Sequence, residues 1–304
     1  MMRKRSGIFT GLLIGTAALI AIIAVWNLTV SRAPQTIAPV SPKPAEPVGT
    51  NRLLTSEKVE ILDLASEFAG YQGCFLLYDT SEKNYRTYNP IQCEKRLTPA
   101  STFKILNSLI GLETGAVQSV DTLLPWDGHP YVFPAWNRDH TMASALTNSV
   151  TWYYKKLAIR IGKEQMEHYV RAANYGNSDT SGGVDSFWLG SSLQISALEQ
   201  IHFISKLYEG TLPFSPETMD GVKKMLILEQ QGENVLAGKT GTCNAGNCYS
   251  EQPQNDNLGW FVGQVQADGK SYIFAVNLEA DHKANGSVAK QKAVSILKKL
   301  NLWE

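Results

Sequence analysis

The stretch "LTPASTFKILNSLIGLETG", residues 97–115, sets a serine at the head of an apolar helical pattern and a lysine three positions on. Apolar residues recur at Phe103, Leu106 and Ile110, and again at Ile105, Leu109 and Leu112, which is helical spacing. Pro99 stands at the start and Gly115 is placed to end the helix. Positions three apart share a helix face, so Ser101 and Lys104 are expected to point the same way. A serine hydroxyl is a poor nucleophile until a base takes its proton, and an amine one turn away is a candidate base.

The S-x-x-K spelling is weak by itself. It occurs three times, at Ser101/Lys104, Ser287/Lys290 and Ser295/Lys298, and the last two sit on an ordinary amphipathic pattern. Other residues single out the first. Lys239-Thr240-Gly241 occurs once, at the end of an expected strand, and Asn148-Ser149-Val150 opens an expected helix with a second serine. Together these suit acyl transfer to a small anionic amide: Ser101 as nucleophile, Lys104 as base, Ser149 as proton shuttle and Lys239 as a strand-borne cation. Backbone N–H groups at the helix start are placed to hold an oxyanion.

Around this centre, "GCFLLYD" (73–79) and "YRTYN" (85–89) read as a hairpin. Three later strands are expected at 234–241, 258–266 and 271–279, the last two joined through Asp268-Gly269, a strong hairpin signal. Residues 99–230 read as mostly helical, and "SVAKQKAVSILKKLNL" closes the chain with an apolar stripe at Ala293, Ile296, Leu297 and Leu300. The expected fold is therefore α/β, of the α+β kind: an antiparallel five-stranded sheet flanked by helices, with an inserted helical subdomain.

The 304 residues carry 28 basic and 28 acidic side chains, so no field of one sign argues for nucleic acid. Residues 1–7 hold Arg3, Lys4 and Arg5, expected to stay in the cytoplasm; residues 8–28 hold no charge and are long enough for a transmembrane anchor. A cleaved signal sequence, with secretion, is the alternative. Residues 29–52 are a Pro-rich linker, and the folded domain is expected over 53–304. Of the connectivities open to four cysteines, the local pairs Cys74–Cys93 and Cys243–Cys248 are expected, in an oxidising compartment outside the cytoplasm. The C-x4-C spacing and the lack of a nearby histidine pair weigh against a zinc site, and no metal is expected.

"PASTFK", "NSV", "YGN" (175–177), "SGGVDSFWL" (181–189) and "AGKTG" stand in the order and spacing of the class D, oxacillinase-type serine β-lactamases, over about residues 72–300. S-x-x-K with K-T-G is a signature shared with the penicillin-binding proteins. The resemblance implies a β-lactamase/transpeptidase-like fold and hydrolysis of penicillins through an acyl-enzyme on Ser101. Lys104 is implied to be N6-carboxylysine, a carbamate formed with carbon dioxide and serving as general base, and no other cofactor is implied. Ser149 would relay a proton to the leaving nitrogen and Trp188 would donate its indole N–H to the carbamate. Lys239 and Thr240 would bind the substrate carboxylate, and the backbone N–H groups of Ser101 and Thr242 would form the oxyanion hole. Cys243 and Cys248 are expected to fix the loop over the site.

Two positions depart from the family pattern. The third residue of S-x-V is Thr151 here, and the chain has no arginine after Arg171 to meet the substrate carboxylate, leaving Lys290 as a stand-in. The competing functions are a penicillin-binding sensor, which Thr151 motivates, and a cell-wall transpeptidase or carboxypeptidase, whose usual S-x-N is missing.

Overall fold

Alternation along the central strands feeds two separate cores. The computed structural model describes residues 58–244, 248, 256–281 and 283–304. One sheet runs in the order β1-β3-β2-β9-β8-β7-β6. Its strands are β1 Val59–Ile61, β2 Gln72–Asp79, β3 Asn84–Tyr88, β6 Ile227–Gln231, β7 Asn234–Cys243, β8 Leu258–Ala267 and β9 Lys270–Glu279; β4 Leu123–Leu124 and β5 His140–Thr141 form a separate ribbon. Cys74 and Leu76 of β2, Trp260 and Val262 of β8, and Ile273 and Ala275 of β9 face one core. Phe75, Leu77, Phe261, Phe274 and Val276 face the other. Successive strand residues point to opposite faces, so a sheet covered on both sides reads as an unbroken apolar run.

The second face is covered by α8, Gly286–Lys299, through Ala289, Ala293, Ile296 and Leu297, the stripe expected from the sequence with Leu300 at its edge. Helices from the middle of the chain lie over the first face: α1 Pro90–Glu94, α2 Lys104–Glu113, α3 Met142–Thr147, α4 Thr151–Ile161, α5 Lys163–Ala172, α6 Ala197–Glu209 and α7 Pro216–Leu226. Of these α1, α6 and α7 pack on the strands, and α2 to α5 pack chiefly on one another and on α7. Helix α6 starts at a capping box, Ser196 with Glu199, and ends at Gly210 in the left-handed conformation (φ +72°). Those are the stop and start signals its sequence spells. The β8–β9 hairpin turns on Asp268 and Gly269, at φ +50° and +75°, the geometry of a two-residue type I′ turn.

The sheet has seven strands rather than five, and β1 pairs with β3 in parallel, so it is not wholly antiparallel. The two extra strands lie at the edges. β1 is three residues long and β6 is exposed at every position, so neither carries the alternation that marks a half-buried strand. Ser149 does not open a helix; it is a left-handed residue (φ +54°) just before α4, whose cap is Val150.

Both expected disulfides are present, Cys74–Cys93 and Cys243–Cys248. The first ties β2 to α1 with both cysteines buried. Among the described residues no helix is long and apolar enough to cross a membrane. The anchor expected at 8–28 and the linker at 29–52 lie outside the described residues.

The bridge Cys74–Cys93 closes a sequence separation of 19 residues. Replacing both cysteines by alanine should lower the unfolding free energy by about 3 kcal/mol. That corresponds to a melting temperature lower by about 6–10 °C for a domain of this size. Scanning calorimetry of the two proteins checks this, and equal melting temperatures would show the bridge to be dispensable.

Candidate active site

Residues 97–115 fold as a short 3-10 turn, Ala100–Phe103, that runs directly into α2. The helix is buried almost all round, Leu112 being partly exposed, and it ends at Gly115 (φ +69°) as its sequence indicates. Ala100 is held at φ +49°, an uncommon conformation for a residue with a Cβ, and its burial and the Thr102 N–H to Pro99 carbonyl bond (3.1 Å) fix the turn. The turn and helix bring the first pair together: Lys104 Nζ donates to Ser101 Oγ at 2.7 Å.

Lys104 is wholly buried. Phe103, beside it in sequence, stacks on Trp188 at 5.2 Å and meets Tyr175 and Phe187 edge-on at 5.6 and 5.0 Å. The "YGN" and "FWL" blocks therefore build the aromatic packing around the Ser101 turn. On the other side, α4 contributes Thr151 and Tyr154, which share a helix face. Thr151 Oγ1 lies 3.4 Å from Lys104 Nζ, and the amine sits 5.6 Å from the centre of the Tyr154 ring. Burial, with the nearby Lys239 cation second, pushes the Lys104 amine well below the ordinary lysine range. Trp188 Nε1 is buried and has no hydrogen-bond partner among the described residues.

Strand β7 carries Lys239, whose Nζ donates to Ser149 Oγ and to the Thr240 carbonyl, each at 3.0 Å. Burial lowers its pKa to about 7. Gly241 lets the strand come close to the turn: a Cβ there would stand 3.1 Å from the Pro99 carbonyl oxygen. Gly286, at the first turn of α8, is similarly tight, since a Cβ would lie 2.8 Å from Thr240 Cβ. Its N–H donates to Thr242 Oγ1 at 2.9 Å. The sequence reading did not single out Asn285-Gly286, although Asn285 is a readable cap, accepting from the Val288 N–H.

A cleft of about 280 Å³ opens here, lined by Ser101, Ser149, Thr240 and Thr242 together with Thr151. Cys243 and Cys248 line it too, so their bridge shapes its wall. Lys104 and Lys239 reach it through the two serines. Trp188 lies behind it, against Phe103. Tyr131, Phe133 and Trp136 add an aromatic side that the sequence did not reveal; Asp256, equally unforeseen, lines the cleft too, is only 8% exposed, and has its carboxyl pKa raised by burial to about 6. Lys290 is not a cleft residue. Its amine is drawn 3.7 Å from Glu229 on edge strand β6, so it does not replace the missing arginine. His140 is structural, held by Ser144 Oγ and the Ala135 carbonyl at 2.9 and 2.8 Å. Among the described residues no cluster of His, Cys, Asp and Glu could hold a metal ion.

The penicillin binding protein transpeptidase domain matches residues 73–298. The probable β-lactamase YbxI of Bacillus subtilis (strain 168) is 41% identical over 244 residues, 80% of this chain and 86% of YbxI. The structure of the class D β-lactamase BAT-2 superposes with a TM-score of 0.73 at 42% identity, covering 80% of this chain and 97% of BAT-2. This chain belongs to the class D serine β-lactamase family. The C-terminal domain of the Bacillus licheniformis BlaR penicillin-receptor is also similar, with a TM-score of 0.75 at 35% identity over 81% of this chain and 98% of that domain. Regulatory protein BlaR1 of the same organism is 36% identical over 254 residues, which span 41% of its length. Class D enzymes and a receptor domain thus share this fold.

Both buried lysines hold their proton less tightly folded than unfolded, so each makes stability rise with pH between its folded and unfolded pKa. For Lys239 that window runs from about 7 to the ordinary 10.5. An apolar side chain of similar length avoids that cost. Lys104→Met should therefore abolish acylation by penicillin while raising the melting temperature by roughly 2–5 °C, as removal of strained active-site groups does elsewhere. The gain should be larger at pH 7 than at pH 10. Thermal melts at both pH values, with acylation followed by intact mass, check both halves.

Proposed function

We propose that this protein hydrolyses penicillin-type β-lactams through an acyl-enzyme on Ser101. The observation that carries the proposal is the 2.7 Å approach of the buried Lys104 amine to Ser101 Oγ. An amine held neutral has a lone pair free to take the hydroxyl proton as Ser101 Oγ bonds to the lactam carbonyl carbon. The carbonyl oxygen becomes an oxyanion facing the backbone N–H groups of Ser101 and Thr242. The C–N bond then breaks, and Ser149, which accepts an N–H from Lys239, passes a proton to the leaving nitrogen. The substrate carboxylate is received by Lys239 and the Thr240 hydroxyl, and its charge keeps the Lys239 amine protonated above its free pKa. The proton taken from Ser101 replaces the one Ser149 gave up, and attack by water on the ester releases the opened product while one proton of that water restores the Ser101 hydroxyl.

Carbamylated by carbon dioxide, Lys104 would supply, in place of its amine lone pair, an anionic proton acceptor for the serine and afterwards for the water. The residues fit the group: the amine is neutral enough to add carbon dioxide, and the buried Trp188 Nε1 is a donor without a partner among the described residues. The proposal also sets the domain outside the cytoplasmic membrane, tethered through 8–28. In support stand the charge-free run behind Arg3, Lys4 and Arg5, and two disulfides.

A second reading, a sensor held in its acylated state, is favoured by one observation. Thr151 puts a hydroxyl 3.4 Å from Lys104 Nζ where a valine would keep the amine dry, and the BlaR penicillin-receptor domain is similar. The two readings part at deacylation.

The purified domain should turn over many equivalents of benzylpenicillin, and carbon-13 NMR with labelled bicarbonate should show a carbamate that Lys104→Ala abolishes and Trp188→Phe weakens. One equivalent of stable acyl-enzyme with no turnover sinks the hydrolase and selects the sensor. Thr151→Val removes the competing hydroxyl and should speed deacylation about tenfold, the size of a lost hydrogen bond to a charged group. Stopped-flow measurement of deacylation checks it, and an unchanged rate would clear Thr151 of any part in the step.

A further inference from the structure

Asp256 sits where β7 and β8 meet the turn before α8. Backbone bonds hold it on both sides: the Asn257 N–H donates to the Cys243 carbonyl, and the Ala284 N–H to the Asp256 carbonyl, each at 3.1 Å. Asp256 is one of the residues lining the cleft, as are Thr242, Asn244, Cys248 and Asn285, and it is 8% exposed. Among the described residues lining the cleft it is the one with a formal charge, and no described side chain hydrogen-bonds to its carboxylate or pairs with it. A carboxylate of this kind is costly to bury unpaired, so the fold keeps it at a cost that an outside cation can offset.

We infer that Asp256 sets the charge preference of the cleft, favouring β-lactams whose acyl side chain carries an ammonium group and disfavouring those with a second carboxylate. The inference rests on the reading of Ser101 as the acylated nucleophile. The substrate's own carboxylate is taken by the Lys239 end of the site, so among the described residues the remaining part of the cleft carries one formal negative charge and no formal positive one. Burial raises its pKa to about 6, so the group is ionised above that pH and the preference operates at pH 7.5. An added ammonium then gains an attraction across poorly solvated space, and an added carboxylate meets a repulsion of similar size.

Three penicillins differing at one carbon test this: benzylpenicillin, its α-amino derivative and its α-carboxy derivative. The readout is the second-order acylation rate at pH 7.5, followed by intact mass, which serves a hydrolase and a sensor equally. In Asp256→Asn, which keeps the shape and removes the charge, the ratio of the α-amino rate to the benzylpenicillin rate should fall about fivefold, and the α-carboxy ratio should rise about fivefold, an interaction of the size expected for a partly solvated charge pair. Asp256→Glu should restore the original order. Unchanged ratios, or three rates falling together as a purely structural role predicts, overturn the inference. Failure of all three compounds to acylate the unaltered protein would instead overturn the role of Ser101.

Discussion

An ammonium ion has no stable place in the interior that surrounds Lys104. The amine is wholly buried against a ring face and a hydroxyl, with a second lysine close enough to disfavour its charge further. Phe103, Phe187 and Trp188 pack together at the head of α2, and α4 sets the Tyr154 ring and the Thr151 hydroxyl near the amine. The consequence is an amine that gives up its proton more readily than an exposed lysine does, 2.7 Å from a serine oxygen. Acid–base chemistry at neutral pH needs such a group, and an exposed lysine does not supply it. The stability lost to two depressed lysines is part of the same arrangement, because the burial that disfavours their charge is also what loosens the proton on Lys104.

Keeping that amine dry requires the rest of the sheet to be dry as well. β7 must approach the nucleophile turn closely, and it does so at Gly241, where any Cβ would press on the Pro99 carbonyl. α8 must approach β7, and it does so at Gly286, whose N–H is taken up by Thr242. These two contacts lock three separate stretches of chain, around residues 100, 240 and 286, into one cleft. The two cores on either side of the sheet hold the strands that carry them.

Much of this was legible in advance. The strands at 73–79, 85–89, 234–241, 258–266 and 271–279 are observed within two residues of their expected ends, because each is a long run with turn residues behind it. The edge strands were invisible because β6 buries nothing and β1 is too short for a period to emerge. Lys290 was misplaced for a related reason: the sequence says which residues share a helix but not which neighbour attracts the tip of a long side chain, and Glu229 comes from a strand no pattern revealed. Tyr154 and Asp256 gave no signal at all. One reads as core on an amphipathic helix, and the other as an ordinary acid in a polar loop.

The sequence by itself determined the elements that have a period, the local disulfides and the Ser101–Lys104 pair, since each depends on residues a few positions apart. Tertiary structure decided which of three S-x-x-K matches becomes a site, where Lys239 meets Ser149 across 90 residues of chain, and which charge faces the cleft. The physical reason is desolvation. The pKa of an amine is set by what surrounds it in space, and no local pattern states how much water the finished fold leaves beside it.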